Sequence, residues 1–216
     1  MINVQYHGHS CFRIQFGDGL TVITDPYTKV GYELPKGLQA DVVTVSHGHF
    51  DHNYVAAISC ETILTTAAPC RMNGVTFEGI TTYHDPEQGK LRGLNTVFKF
   101  SGEGITICHL GDLGEACSQA LLDEIGKVDV LLIPVGGTYT IDAKQAREYI
   151  DKIAPKIAIP MHYRPIDGAL DIAESKAFLD LVSDLKRMDF LNGEAVINRD
   201  LLTNDKTQIF YLERMR

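Results

Sequence analysis

Two stretches near the start of the chain alternate apolar and polar residues with a period of two, which is typical of a β-strand with one buried face. They cover residues 11–16 and 20–24 and are separated by three residues that include two glycines. A spacer of that length and composition predicts a β-hairpin. The same arrangement recurs at residues 96–100 and 105–108 and predicts a second hairpin.

Residues 42–46 form a short run of mainly β-branched side chains, and it predicts a strand that is buried on both faces. Shorter segments of the same character predict further strands at residues 63–65, 75–77 and 80–83. The first half of the chain is therefore expected to consist mainly of β-strands.

The second half alternates helical and strand patterns. Helices are predicted at residues 118–125 and 143–153, and Asp142 is a suitable N-cap for the second of them. Buried strands are predicted at residues 130–133 and 157–159, each directly after one of these helices.

Residues 171–186 are predicted to form a longer amphipathic helix. Its apolar face would consist of Ile172, Phe178, Leu179, Val182 and Leu185. The chain contains no internal repeat, no low-complexity segment and no linker. We therefore expect a single mixed α/β domain that covers residues 1–216.

The composition is that of an ordinary globular protein, with 44% hydrophobic and 22% charged residues. The formal net charge of −8 argues against a nucleic-acid partner, because binding a phosphate backbone requires an electropositive surface. No apolar run approaches the roughly 20 residues of a membrane helix. The N-terminus also lacks the basic and apolar regions of a secretory signal, so we expect neither secretion nor a membrane partner.

The five cysteines are odd in number and none forms a CxxC pair, which disfavours a disulfide framework or a cysteine-based zinc site. They are Cys11, Cys60, Cys70, Cys108 and Cys117. Reduced thiols are typical of a reducing compartment, so we expect a cytoplasmic protein. The sequence does not predict an oligomeric state.

The segment His47-Gly48-His49-Phe50-Asp51-His52 places four potential metal ligands within six residues, directly after a predicted buried strand. In an extended segment, residues two apart point the same way, so His47 and His49 can face one ion. The aspartate and histidine that follow can face a second ion, and Gly48 would keep the loop free of bulk. A structural histidine cluster is the alternative, but burying these groups together without a ligand would be costly.

Each ion needs at least three protein ligands, so this loop requires partners from elsewhere in the chain. Three separate predicted strands are followed by a potential ligand, namely His84, Asp112 and His162. Open α/β folds bind their ligands at the carboxyl ends of strands. We therefore expect the three side chains to complete the coordination of the loop.

The loop resembles the HxHxDH signature of the metallo-β-lactamase superfamily, and His84, Gly111-Asp112 and His162 resemble its later metal motifs. Three further motifs make the chain similar to a branch of small metal-dependent hydrolases that includes L-ascorbate-6-phosphate lactonase. They are Tyr6-His7-Gly8-His9-Ser10, Thr24-Asp25-Pro26 and Pro160-Met161-His162-Tyr163. The resemblance extends over about residues 4–165.

This resemblance implies a four-layer αββα sandwich with a dinuclear metal site at one edge of the paired sheets. One ion would be bound by His47, His49 and His84. The second would be bound by Asp51, His52 and His162, and Asp112 would bridge the two. Asp25 would support the metal loop by accepting a hydrogen bond from a ligand imidazole.

Three histidines remain outside this ligand set. His9 fits the Gly-His-Ser motif, and it could orient the substrate or donate a proton, so His9 and Asp51 are the candidate catalytic residues. A purely structural role for His9 is an equal alternative. His109 is expected to support the ligands or pack near them, and His7 is expected to be structural or exposed.

Residues 136–140 form a glycine-rich segment between a predicted strand and helix. A loop at a helix N-terminus can bind an anion such as a substrate phosphate, but this one matches neither GxGxxG nor a P-loop. A tight connection is the simpler interpretation, and the resemblance makes the segment a candidate wall of the site.

Two divalent ions about 3.5–4 Å apart can share a water and lower its pKa toward about 7, so that it attacks as a hydroxide. We therefore expect a metal-dependent hydrolase that acts on a small ester, lactone or phosphoester. Zinc is the metal we expect, with manganese or iron as alternatives. The competing hypotheses are a nuclease or phosphodiesterase of the same superfamily and a non-catalytic metal-binding regulatory protein.

Overall fold

The first predicted hairpin is present as two antiparallel strands in the smaller of two β-sheets. The computed structural model describes residues 1–215. Its strands are β1 (Ile2–Gly8), β2 (Cys11–Phe16), β3 (Thr21–Thr24), β4 (Gln39–Thr44), β5 (Ser59–Leu64), β6 (Cys70–Met72), β7 (Val75–Tyr83), β8 (Leu94–Gly102), β9 (Ile105–His109), β10 (Val130–Pro134), β11 (Ile157–Met161), β12 (Lys186–Phe190), β13 (Glu194–Ile197) and β14 (Gln208–Leu212). Its α-helices are α1 (Gln119–Ile125), α2 (Ala143–Ile153) and α3 (Lys176–Leu181), and short 3₁₀ turns lie at Val55–Ala57 and Arg199–Leu202.

Within residues 1–215, one sheet has six strands in the order β13-β1-β2-β3-β4-β5, and the other has eight in the order β12-β14-β11-β10-β9-β8-β7-β6. Strands β3, β4 and β5 run parallel to one another, and so do β9, β10 and β11. The carboxyl ends of parallel strands lie at the same edge of a sheet. The loops that follow them therefore meet at one edge of the molecule.

The two sheets pack face to face through one hydrophobic core. Phe12 of β2 and Phe98 and Phe100 of β8 belong to this core, and each is at most 1% exposed. Burying an aromatic or aliphatic side chain of this size contributes about 1.5–3 kcal/mol of hydrophobic free energy. The core therefore provides a rigid scaffold for the loops at its edge.

Helices cover the outer face of the eight-stranded sheet. All residues of β10 and β11 are buried, and Tyr149 of α2 and Phe178 of α3 join the same core. The predicted cap of α2 is confirmed, because the Asp142 carboxylate accepts hydrogen bonds from the backbone amides of Lys144 and Gln145.

The outer face of the six-stranded sheet is covered differently. Ile23 and Val43 pack there against Tyr27, Val30 and Ile58, which lie in the connections after β3 and β4. Among the described residues, these connections contain one 3₁₀ turn and no α-helix. The predicted mixed α/β sandwich is thus confirmed, and its outermost layer on this side is built mainly from irregular segments.

The prediction of one helix over residues 171–186 is wrong, because α3 spans only Lys176–Leu181. The preceding segment forms long-range backbone hydrogen bonds instead, from Ala173 N–H to the Gly136 carbonyl and from Arg164 N–H to the Ala173 carbonyl. At the other end, residues 186–190 pair with β14 as a parallel strand. Tertiary pairing therefore overrides the helical period at both ends of the segment.

Strands β1, β6, β12, β13 and β14 were not among the predicted elements, and three of them, β6, β12 and β13, lie at sheet edges. No α-helix within residues 1–215 combines the length and apolarity needed to cross a bilayer. The single-domain organisation remains a prediction, and its last residue, Arg216, lies outside the described residues.

Candidate metal centre

The metal loop leaves the carboxyl end of β4 and turns back over the edge of the sheets. Its first two histidines lie close together, with the ring centroids of His47 and His49 4.6 Å apart. The ring of His84, which follows β7, lies 4.5 Å from that of His47 and 5.1 Å from that of His49. One donor atom from each of these three residues lies within 4.8 Å of the others, so they can bind one ion.

A second cluster lies beside the first. It comprises His9, Asp51, His52 and His162, and one donor atom from each lies within 4.8 Å of the others. The structure thus brings together the three side chains expected at the second ion and adds His9 to them. Nε2 of His9 lies 3.2 Å from Nε2 of His52 and 3.3 Å from Oδ2 of Asp51.

Asp112 lies between the two clusters and is 1% exposed. Its Oδ2 atom lies 3.4 Å from Nε2 of His84 in the first cluster and 3.2 Å from Nε2 of His162 in the second. Its Oδ1 atom lies 3.2 Å from Nε2 of His52. A carboxylate in this position can share its oxygens between two ions.

Asp112 is held by a residue that the sequence did not reveal. The Oδ1 atom of Asn95 accepts a hydrogen bond from the backbone amide of Asp112 at 2.9 Å. The Nδ2 group of Asn95 donates to Thr82 and to the Leu110 carbonyl, so the amide side chain is fully engaged and its orientation is fixed. In the sequence Asn95 is one of several polar residues of β8, so nothing there distinguishes it.

Asp25 supports the metal loop from beneath and is completely buried. Its carboxylate accepts hydrogen bonds from the backbone amide and hydroxyl of Ser46, and it lies 2.8 Å from Nδ1 of His52. Because the Ser46 hydroxyl donates to Asp25, it accepts from Nδ1 of His47 at 3.0 Å. Both imidazoles therefore carry a proton on Nδ1 and direct Nε2, the nitrogen that would bind a metal, toward the clusters.

His84 is placed by the loop that follows it. The buried Asp85 carboxylate accepts hydrogen bonds from four backbone amides, those of Glu87, Gly89, Leu91 and Arg92, at 2.8–3.0 Å. Because of these amides the pKa of Asp85 is lowered, although burial alone would raise it. The sequence did not reveal this role, since Asp85 precedes a proline and resembles an ordinary turn residue.

His162 and His9 are linked through their backbones. The amide of His162 donates a hydrogen bond to the carbonyl of His9 at 2.8 Å, and the two ring centroids lie 4.2 Å apart. Gly136 packs against this segment, because a Cβ at Gly136 would lie 2.2 Å from the His162 carbonyl oxygen. His162 is thereby held between the N-terminal hairpin and the loop after β10.

The remaining two histidines lie outside both clusters. His109 is buried, and its Nε2 donates to the carbonyl of Ser10 while its Nδ1 accepts from the amide of Gly111. It therefore ties the turn that carries His9 to the loop that carries Asp112. His7 is also buried, and burial lowers its pKa to about 4.

The electrostatics of the clusters favour a neutral His47 and an ionised Asp112, the states that metal ligands need, and a protonated His52. Burial and the neighbouring His52 lower the pKa of His47 to about 3. Burial raises the pKa of Asp112, but the charges of His162 and His52 outweigh it and hold that pKa well below its usual range. The pKa of His52 is raised, because Asp112 and Asp25 outweigh the effect of its burial.

Buried polar atoms without partners test whether these residues suit a metal. Among residues 1–215, no hydrogen-bond partner is found for Nε2 of His47, Nδ1 of His84, Oδ1 of Asp112 or either ring nitrogen of His162. Leaving such atoms unsatisfied costs about 1–3 kcal/mol each. Of these atoms, Nε2 of His47, Oδ1 of Asp112 and Nε2 of His162 face the clusters. Imidazole and carboxylate donors of this kind fit divalent transition metals such as Zn, Mn or Fe.

A cavity of about 340 Å³ opens onto the clusters. It is lined by His49, Phe50, Asp51, His84, Arg92, Asp112, Tyr139 and Leu170. Tyr139 belongs to the glycine-rich segment expected to form a wall of the site. Sequence reasoning missed Arg92 and Leu170.

Two predicted features, His9 and the loop before α2, lie differently in the structure from what their expected roles require. His9 is 1% exposed and lies within the second cluster rather than on the lining of the cavity, which disfavours direct proton donation to a substrate. The N-terminus of α2 is occupied by the Asp142 carboxylate and is therefore a poor phosphate site.

Comparison with known proteins identifies the relatives of this chain. Residues 3–162 match the model of a family described as β-lactamase superfamily domain. A UPF0173 metal-dependent hydrolase of Carboxydothermus hydrogenoformans is 31% identical over 80% of this chain and 90% of its own length. A second, from Staphylothermus marinus, is also 31% identical over 90% of this chain and 98% of its own.

A solved structure from Thermotoga maritima extends the similarity to the whole fold. It is described as a Zn-dependent hydrolase of the metallo-β-lactamase superfamily and superposes with a TM-score of 0.79. The sequence identity is 34%, and the match covers 99% of this chain and 100% of the other.

Proposed function

Because the chain belongs to the metallo-β-lactamase superfamily, within its family of UPF0173 metal-dependent hydrolases, we propose that it hydrolyses a small ester, lactone or phosphoester at two bound metal ions. Family membership makes the chain a metal-dependent hydrolase. The proposal concerns the number and identity of the ions and the class of substrate.

Two neighbouring ligand clusters that share one carboxylate are the observation that carries the proposal. The first ion would be held by His47, His49 and His84. The second would be held by Asp51, His52 and His162, with Asp112 bridging the pair. Zinc is the preferred metal, because tetrahedral sites of imidazole and carboxylate donors suit it, and manganese or iron remain the alternatives.

The bound ions would supply an activated water and polarise the carbonyl or phosphoryl oxygen of the substrate. The chain contributes the arrangement of the ligands around them. Asp25 and Ser46 hold the imidazoles of His52 and His47 with Nε2 toward the clusters. This preorganisation removes the cost of reorienting the rings when metal and substrate bind.

His9 is best described as an additional donor at the second ion. Its Nε2 lies within 3.3 Å of Asp51 and 3.2 Å of His52, and burial and the nearby His162 lower its pKa to about 4. A ring that stays neutral near pH 7 can offer a lone pair to a metal, and it is a poor proton donor.

The cavity limits the size of the substrate. A volume of about 340 Å³ lies near the lower end of the roughly 300–1,000 Å³ that ligand pockets span. Such a cavity suits a metabolite-sized molecule, and the net charge of −8 disfavours a nucleic acid. Lactones belong among the test substrates, because the motifs around His9, Asp25 and His162 resemble those of the lactonase branch.

The direct test is turnover by the zinc-loaded protein of a panel of aryl esters, lactones, phosphomonoesters and phosphodiesters. Asp112→Ala and His47→Ala serve as negative controls, and both proteins should remain folded by circular dichroism. We expect at least one class to be hydrolysed by the wild type at 100 times the rate of either variant or more. Equal turnover in all three proteins would show that the reaction does not occur at this site.

A further inference from the structure

Arg92 is the one cationic side chain that lines the cavity over the metal clusters. Its side chain is partly buried, and among residues 1–215 no ion pair involves its guanidinium. The two carboxylates of the cavity wall, Asp51 and Asp112, belong to the ligand clusters. A guanidinium partly removed from water and lacking a counter-ion is poised to bind an anion.

The backbone of Arg92 is fixed before any ligand arrives. Its amide donates to the carboxylate of Asp85 at 2.8 Å, and Asp85 follows the metal ligand His84 directly in sequence. The position of Arg92 relative to the clusters is thus set by the same short loop that sets His84. Binding an anion to an arginine on an ordered loop costs less conformational entropy than binding it to an arginine on a mobile loop.

The opposite wall of the cavity orients the side chain. The guanidinium carbon of Arg92 lies 5.5 Å from the ring centroid of Tyr139, within the range of a cation–π contact. Tyr139 follows two residues with positive φ, Gly137 and Thr138, so a tight turn presents its ring to the cavity. The Arg92–Tyr139 pair therefore joins two loops across the site.

Apart from the cluster residues and the Arg92–Tyr139 pair, the lining is apolar. Phe50 and Leu170 contribute side chains without charge, and Phe50 is 51% exposed at the rim. A substrate that fits this lining has an apolar stem between its reacting group and an anionic group. The stem would pack on these two residues while the reacting group faces the clusters.

We propose that Arg92 selects anionic substrates by binding a carboxylate or phosphate group of the substrate that lies apart from the cleaved bond. This inference rests on the proposed hydrolase function and specifies its substrate class. Arginine forms paired, charge-assisted hydrogen bonds with such oxyanions, and glutamine or lysine cannot reproduce that geometry.

The test compares two 4-nitrophenyl esters on the zinc-loaded protein: the monoester of glutaric acid, whose acyl chain ends in a carboxylate, and the valerate ester, which ends in a methyl group. We expect Arg92→Gln to raise the KM of the glutarate ester roughly 10-fold to 100-fold while kcat changes less than about twofold. The KM and kcat of the valerate ester should be unaffected by Arg92→Gln. Arg92→Lys should retain part of the preference for the glutarate ester over the valerate ester.

Lys90→Gln is the matched control, because Lys90 is exposed on the same loop and lies outside the cavity lining. Lys90→Gln removes the same charge and should leave the KM and kcat of both esters unchanged. Equal effects of Arg92→Gln on both esters, or an effect of Lys90→Gln as large as that of Arg92→Gln, would overturn the proposal.

A binding measurement separates this inference from the hydrolase function. Calorimetry on the same zinc-loaded proteins would compare glutarate, its neutral diamide and 4-phosphonobutyrate. We expect Arg92→Gln to weaken the binding of the two anions roughly 10-fold or more and to leave the binding of the diamide almost unchanged. The tighter anion identifies the preferred group. If no member of the substrate panel is hydrolysed but this loss appears, anion recognition stands and the proposed ester, lactone or phosphoester hydrolysis fails. If the loss is absent, Arg92 has no such role.

Discussion

The carboxylate of Asp25 lies 2.8 Å from Nδ1 of His52, and the opposite nitrogen of that ring lies 3.2 Å from Asp112. The same carboxylate also accepts hydrogen bonds from the amide and hydroxyl of Ser46. One buried acid at the end of β3 therefore sets the orientation of two imidazoles in the metal loop, that of His52 directly and that of His47 through Ser46.

Replacing Asp25 with asparagine should weaken metal binding without removing a ligand. Asparagine fits the site and tolerates the positive φ of 39° at this position. It has one acceptor oxygen where the carboxylate has two, so it cannot accept all three hydrogen bonds, those from His52 and from the amide and hydroxyl of Ser46. We expect zinc affinity to fall roughly 10-fold to 100-fold, as for other partners of ligand imidazoles, measured by competition with a chromophoric chelator.

Asp18→Asn provides the control for the lost charge, because Asp18 is exposed in the turn after β2. Its zinc affinity should match that of the wild type. Unchanged affinity in Asp25→Asn would mean that the hydrogen bond to His52 does not contribute to metal binding.

Metal uptake should release a proton from His52. In the metal-free protein Asp112 and Asp25 outweigh the burial of His52 and raise its pKa, which favours the protonated ring. A metal binds the neutral imidazole and must displace that proton. Calorimetric titration of the metal-free protein with zinc, in two buffers of different ionisation enthalpy, should show release of about one proton per protein.

The Asp25→Asn protein is informative here as well. Removing one of the two carboxylates that raise the pKa of His52 should reduce the number of protons released at pH 7. Binding heats that do not depend on the buffer in the wild type would contradict the protonated state of His52.

The proximity of the candidate ligands could be predicted because these residues carry their chemistry in the sequence. The loop from His47 to His52 concentrates ligands beyond what packing requires, and His84, Asp112 and His162 each follow a strand. Strand ends meet at one edge of parallel sheets, so order along the chain was enough to place them together. Their division between two ions was implied by the family resemblance, and their distances required the structure.

The residues that orient the ligands could not be predicted in the same way. Asn95 and Asp85 act through hydrogen bonds to backbone amides, and any polar side chain could fill that role in another context. The position of His9 behind the cavity depends on how the hairpin of β1 and β2 packs against the second sheet. The helix predicted over residues 171–186 was wrong for a related reason. Its last residue begins a strand that pairs with β14, and this pairing is a long-range contact.

Asp85→Asn should loosen the loop that carries Arg92. An asparagine oxygen can accept two of the four amide hydrogen bonds, and its amide group cannot accept the others. We expect faster hydrogen exchange at the amides of residues 87–92, by roughly 10-fold or more, and little change in the sheets. Mass spectrometry of deuterium uptake measures both.

Glu87→Gln is the matched control for this loop, because Glu87 is exposed and its side chain is not part of the network. Its exchange rates should match those of the wild type. If the amides of residues 87–92 exchanged as slowly in Asp85→Asn as in the wild type, other contacts would have to hold the loop in place.

Gly114→Ala should disturb the first ligand cluster although Gly114 binds nothing. A Cβ at this position would lie 2.5 Å from the carbonyl carbon of His84, and backbone atoms cannot yield as a flexible side chain does. The strand end that carries His84 would have to shift. We expect the zinc content of the purified protein to fall from about two ions toward one, measured by elemental analysis, with a melting temperature several degrees lower.

Gly48→Ala is the control for Gly114→Ala, because Gly48 lies inside the metal loop itself. Among the described residues, no heavy atom lies within 4 Å of a Cβ at Gly48, so the expected need for a small residue there is not supported. Alanine at this position should leave zinc content and melting temperature unchanged. If Gly48→Ala lost metal and Gly114→Ala did not, the packing of Gly114 against His84 could not be what positions the first cluster.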